Sequence, residues 1–184
     1  MACEVVDAGA DPARVTSARA ADAAFVLDRL TGPRAAWRHA RMIDPARIGM
    51  AADRRIDAGV DMDGAFRGPL PPGGLGGRPF MMLGTDDEVH RPGGTDTTWD
   101  ATWPTLGGWK RWLTVAGANH FTFSDRPVIL GRFGLPGPAL PSGRAVALTR
   151  TYVAAFFDRH LRGLPQPLLD GPSAAHPEVA FPTP

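Results

Sequence analysis

The chemistry in this sequence gathers at the ends of apolar runs. One such run, Trp112-Leu113-Thr114-Val115, passes into small residues and delivers His120 into the loop Ala116-Gly117-Ala118-Asn119-His120-Phe121-Thr122-Phe123-Ser124-Asp125. An imidazole takes and returns a proton near neutral pH, so a histidine held rigidly at a strand's end is well placed as a general base. The same residue, beside Phe121 and Phe123, equally suits a half-buried core position. Acidic groups stand at the ends of two other runs. Ile56 to Met62 leads into Asp63-Gly64, and Pro79-Phe80-Met81-Met82-Leu83-Gly84 empties into Thr85-Asp86-Asp87-Glu88.

The elements that must position these groups follow from periodicity. Residues 1–16 lack a period and read as a loose lead-in. Ser17 can cap a helix through about Leu30, with Ala20, Ala24 and Leu27 on one face, and a shorter helical piece covers about Arg34 to Arg41. Arg47 to Met50, Ile56 to Met62, Pro79 to Gly84 and Trp109 to Val115 read as strands, the third continuously apolar as a strand covered on both faces would be. Thr98 is expected to cap a short helix bearing Trp99 and Trp103. Ser142 is expected to cap a long helix, Gly143 to Arg162, whose stripe includes Leu148, Tyr152, Val153, Phe156 and Phe157 and which Gly163 and Pro165 close. The Pro-rich tail, 171–184, is expected to meander over the surface. Strands alternating with helices indicate an α/β sheet with its functional loops at the carboxyl edge, occupying one domain over 17–170.

Composition narrows the function. The 184 residues carry Lys+Arg 20 against Asp+Glu 19, a net charge of +1, which suggests neither nucleic acid nor an anionic membrane surface as a partner. Gly 22 and Pro 19 make up about 22% of the chain, above the usual ~12%, so loops are abundant. A single cysteine, Cys3, allows neither an internal disulfide nor a multi-cysteine metal site. The start of the chain lacks the pattern of an export signal, and no run approaches the ~18 apolar residues of a membrane span. The compartment stays open.

Gly59-Val60-Asp61-Met62-Asp63-Gly64, the strand from Phe80 to Gly84, and Gly117-Ala118-Asn119-His120-Phe121-Thr122-Phe123-Ser124-Asp125 together resemble bacterial α/β-hydrolases related to plasma-type platelet-activating-factor acetylhydrolases and to lipase/cutinase-like esterases. The likeness runs from about Ser17 to Phe181 and covers the second half of that family's domain. It implies a partial α/β-hydrolase fold, a mostly parallel sheet with flanking helices, acting without a cofactor on a small-molecule ester or lipid. Relatives of this kind are often secreted. By the resemblance His120 would be the general base and acid, and Asp63 the carboxylate that orients it. Asp63 also suits a turn before Gly64, and Asp86 and Asp87 are rival acids, because cutinase-like relatives place theirs after the strand matching Phe80 to Gly84.

The resemblance also implies a G-x-S-x-G nucleophile elbow after Met50, and here Ala51-Ala52-Asp53-Arg54-Arg55 follows instead. Five residues between Met50 and Ile56 cannot make a parallel crossover, which takes at least ~10 residues. The serines are Ser17, Ser124, Ser142 and Ser173, none of them in such an elbow. Ser17 and Ser142 read as helix caps, Ser173 lies in the tail, Ser124 follows His120 closely, and Cys3 sits near the terminus. Three functions are therefore expected: an ester hydrolase retaining the Asp–His part of a triad, a silent remnant of that fold serving as a binding module, or a small-molecule binder using the tryptophans. Trp99, Trp103, Trp109 and Trp112 read first as core. His90 among acidic residues reads as a solvated face rather than a metal ligand, and His39, His160 and His176 call for no function. A half-sheet would expose a strand edge, so self-association is expected.

Overall fold

The structure is a computed structural model and describes residues 56–66, 70 and 73–184, together with Phe25. The expected lead-in, the helix over 34–41, the strand Arg47 to Met50 and its short link to Ile56 lie outside the described residues, as do Cys3, Ser17 and His39; of the helix expected over 17–30 only Phe25 is described, and it is helical.

Four strands form one sheet in the order β1 (Gly59–Met62), β2 (Phe80–Thr85), β3 (Lys110–Val115) and β4 (Val179–Ala180). The first three are parallel, with Gly59 opposite Phe80 and Phe80 opposite Lys110. β4 runs antiparallel to β3, Val115 facing Val179. All six residues of β2 are buried, because it lies between two neighbours and both of its faces are covered. Strand alternation divides its side chains. Met81 and Leu83 enter one core with Leu113, Val115, Leu148, Tyr152 and Phe156, while Phe80 and Met82 enter another with Trp99, Leu106 and Trp112.

The helices close these two faces. α1 (Thr97–Thr102) lies in the β2–β3 crossover and inserts Trp99 into the second core. Its cap is Asp96, whose side chain accepts from the Thr98 amide, and not Thr98 as the sequence suggested; either residue type can fill the position. α2 (Arg126–Arg132) and α3 (Ser142–Arg162) follow β3. α3 buries Ala145, Leu148, Tyr152, Ala155 and Phe156, at roughly 1.5–3 kcal/mol for each fully buried large side chain. Ser142 is its first residue and makes no side-chain cap, Pro141 holding that position; Gly163 ends it in a left-handed conformation at φ 68°.

The tail departs most from expectation. Rather than meandering, it lays β4 on the open side of β3 and buries Val179. Arg144 on α3 clamps it, with Nε donating to Glu178 Oε1 at 2.6 Å and Nη2 to Oε2 at 2.8 Å. The segment escaped sequence reading because two paired residues beside Pro177 and Pro182 carry no period.

Candidate active site

Asp63 leaves β1 with a left-handed backbone, φ 59°, a conformation that aspartate tolerates better than most residues. Two bonds hold it there. Its amide donates to Leu83 O at 2.9 Å, and its Oδ1 accepts from the Thr85 amide at 2.7 Å. The carboxyl is thus buried at the carboxyl edge, fixed to the end of β2.

His120 arrives from β3. Asn119 and Thr122 close a capping box over the 3-10 turn His120–Phe123, Thr122 Oγ1 accepting from the Asn119 amide at 2.8 Å. The turn presents the imidazole with Nδ1 2.9 Å from Asp63 Oδ2. The side chain of His120 is 63% exposed and that of Asp63 only 2%, so the half-buried core reading of His120 does not hold. A carboxylate accepts, so Nδ1 carries the hydrogen and Nε2 is left for chemistry.

The rival acids are engaged elsewhere. Asp86 takes Arg91 Nε at 2.9 Å and Thr114 Oγ1 at 3.1 Å, and the bond from Arg91 holds its carboxyl below the usual range. Burial pushes Asp87 up, but the Thr85 hydroxyl and the Val89 and His90 amides outweigh this and leave it lowered. Both brace the loop after β2, and neither contacts His120.

His90 corrects the sequence reading, which put it on a solvated face. It is 7% exposed, its ring lies 4.8 Å from that of Trp99, and Trp112 Nε1 donates to its carbonyl at 2.8 Å. Polar neighbours in sequence concealed a residue folded inward. Among the described residues no group of three His, Cys, Asp or Glu could hold a metal. Trp99 and Trp112 are core, their rings 5.2 Å apart, and Trp109 packs on Phe156 and His160.

Asp61 is a residue that sequence reasoning missed. Its Oδ2 is buried without a hydrogen-bond partner, and its pKa is raised to about 7. Burial is the main cause and the charges of Asp63 and Asp96 add to it, while the Gly64 amide and the Trp99 indole oppose it in part. The available signal was its place two residues before Asp63 in the same short segment.

Two of the described serines have local hydrogen-bond partners. Ser124 Oγ donates to Phe121 O at 2.7 Å and Ser173 Oγ accepts from the Ala175 amide. Among the described residues no serine hydroxyl contacts His120.

No profile of a known protein family matches the chain. A probable 1-alkyl-2-acetylglycerophosphocholine esterase of Arthroderma benhamiae is 33% identical over 152 residues, spanning 72% of this chain and 38% of the fungal protein. A ferulic acid esterase from Streptomyces cinnamoneus superposes with a TM-score of 0.84 at 43% identity, over 97% of this chain and 58% of that one. The fold is that of α/β-hydrolases, and the chain spans less than two thirds of either relative.

Proposed function

We propose that this chain, an α/β-hydrolase-fold relative of ester-cleaving enzymes, contributes the acid and the base of a carboxylic-ester hydrolase, with Asp63 as the acid and His120 as the base. The observation that carries the reading is the 2.9 Å pair of a buried carboxylate with an exposed imidazole at the carboxyl edge of a parallel sheet. In this reading His120 Nε2 takes the proton of an attacking hydroxyl and returns it to the leaving alkoxide. Asp63 keeps the hydrogen on Nδ1 and stabilises the imidazolium formed between the two steps. A lipid or short-acyl ester suits the surroundings, because Phe121, Val128, Ile129 and Phe133 expose apolar surface just beyond His120.

The other reading is a catalytically silent remnant acting as a binding or interaction protein. It is favoured by the four serines of the chain, none of which stands in a G-x-S-x-G turn.

Hydrolysis of a short-chain nitrophenyl ester by the purified chain, compared with His120→Ala under the same conditions, separates the two. Turnover abolished by the substitution supports the hydrolase, and a covalent serine trap then locates the nucleophile. Equal, background-level rates support the silent remnant.

A further inference from the structure

The two oxygens of Asp63 have different partners. Oδ2 faces His120, whereas Oδ1 accepts from the Thr85 amide and lies 3.3 Å from Nδ1 of a second histidine, His90. The same Nδ1 is 2.9 Å from Thr85 Oγ1 and 3.5 Å from Asp87 Oδ1.

The hydrogen positions follow from donor counting. The Thr85 hydroxyl has one hydrogen, and it goes to Asp87 Oδ2 at 2.7 Å. Toward His90 the hydroxyl oxygen therefore accepts, so His90 Nδ1 carries a hydrogen, bonded to Thr85 Oγ1 and standing close to Asp63 Oδ1 at 3.3 Å and Asp87 Oδ1 at 3.5 Å. The ring is held at that angle by Trp99 beside it, by the indole of Trp112 on its carbonyl, and by its own amide on Asp87 Oδ1 at 3.2 Å. Gly84 makes the room. A Cβ there would stand 3.1 Å from His90 Cγ, 3.2 Å from Asp63 Oδ1 and 2.8 Å from the Trp99 ring.

We propose that His90 is a positioning residue for the Asp63–His120 pair, its Nδ1–H acting with the Thr85 amide to hold Asp63 Oδ1 so that Oδ2 stays turned to His120. The device rests on the Asp63–His120 pairing assigned above, and its tests read that pairing directly, so a chain without turnover still reports on it. A carboxylate free to rotate would spend part of its time off the imidazole, whereas one held through its other oxygen is organised before substrate arrives.

Nitrogen NMR of the full chain, above the pH at which the histidines titrate, reads the tautomer without any substitution. His90 is expected as the Nδ1–H form, and an Nε2–H form overturns the proposal. The substitutions His90→Asn and His90→Phe then separate donation from packing. The asparagine amide can put a donor where Nδ1 sits and should retain the downfield Nδ1–H resonance of His120 and its titration. The phenylalanine keeps a ring without a donor and should weaken proton affinity at His120 by roughly threefold to tenfold. His90→Phe with the His120 resonance and titration unchanged overturns the proposal. If His90→Phe fails to fold, the wild-type tautomer decides alone.

Discussion

Asp63 Oδ2 lies 2.9 Å from His120 Nδ1 across a separation of 57 positions, joining the end of β1 to the turn after β3 over the top of β2. The relationship exists because three parallel strands end at one edge, and because Asp63 is pinned there through Leu83 and Thr85 while Asn119 and Thr122 pin the turn.

Asp63→Asn keeps the shape and tolerates φ 59°, but the amide can donate toward His120 and no longer enforces the Nδ1–H tautomer. Any ester turnover that depends on the pair should fall by about 10⁴-fold with little change in the unfolding midpoint. Asp63→Ala should lose activity as well and in addition cost about 1–2 kcal/mol, from the left-handed position alone. Parallel rate and denaturation measurements on both variants check this.

Asp61 makes stability fall with pH. Its pKa is 3.8 in the unfolded reference and about 7 in the fold, so the folded chain holds the proton longer. The favourable contribution is complete below 3.8 and is lost as pH rises toward 7. Asp61→Asn should flatten that limb and gain stability relative to the wild type at pH 8. Urea midpoints at pH 5 and pH 8 read the effect, and identical pH slopes in the two proteins would contradict it.

Gly84→Ala puts a methyl 2.8 Å from the Trp99 ring, against neighbours that are themselves close-packed. Overpacking of this kind costs typically about 1–3 kcal/mol. The lower unfolding midpoint should be accompanied by a perturbed His90 resonance, since Cγ of that ring is the next atom met.

Glu178 acts in the opposite direction to Asp61. The bond from Arg144 holds its carboxyl down at about 2, against 4.5 unperturbed, so its contribution is present above pH 4.5 and is lost as pH falls toward 2. Glu178→Gln should release β4, visible as faster hydrogen exchange at the Ala116 amide, which bonds Glu178 O at 2.8 Å. Unchanged exchange at Ala116 would show that Val179 anchors the tail alone.

Among the described residues β1 is an outer strand of the sheet and pairs only with β2. We expect the chain to self-associate through this edge in a concentration-dependent way. Light scattering over a wide concentration range checks it, and a monodisperse monomer throughout would count against it.

Within the described residues, the sequence by itself determined several elements of the scaffold. The unbroken apolar run at Phe80, the stripe from Leu148 to Phe157 and the Gly163 stop each carry a local period or a backbone requirement that names the element without help from the rest of the chain. His120 at a strand's end was legible for the same reason. The short helix was found with its cap assigned to Thr98 in place of Asp96, because neighbouring polar residues compete for that position on equal terms.

What only the tertiary structure decided were pairings between distant residues. Asp63, Asp86 and Asp87 are equivalent as residue types at strand ends, and the register of β1 against β2 is what leaves Asp63 at the imidazole and ties the others to Arg91, Thr114 and Thr85. His90 looked solvated among acidic neighbours and is buried, because its environment is made by Trp99, Trp112 and the space left by Gly84. The tail was expected to meander over the surface, and within it Val179–Ala180 pair as a short strand, because their partner is the far side of β3. Local order is encoded in residues a few positions apart and can be read along the chain. Burial, charge pairing and sheet edges are set by residues far apart in sequence, and they exist only once the strands have been laid side by side.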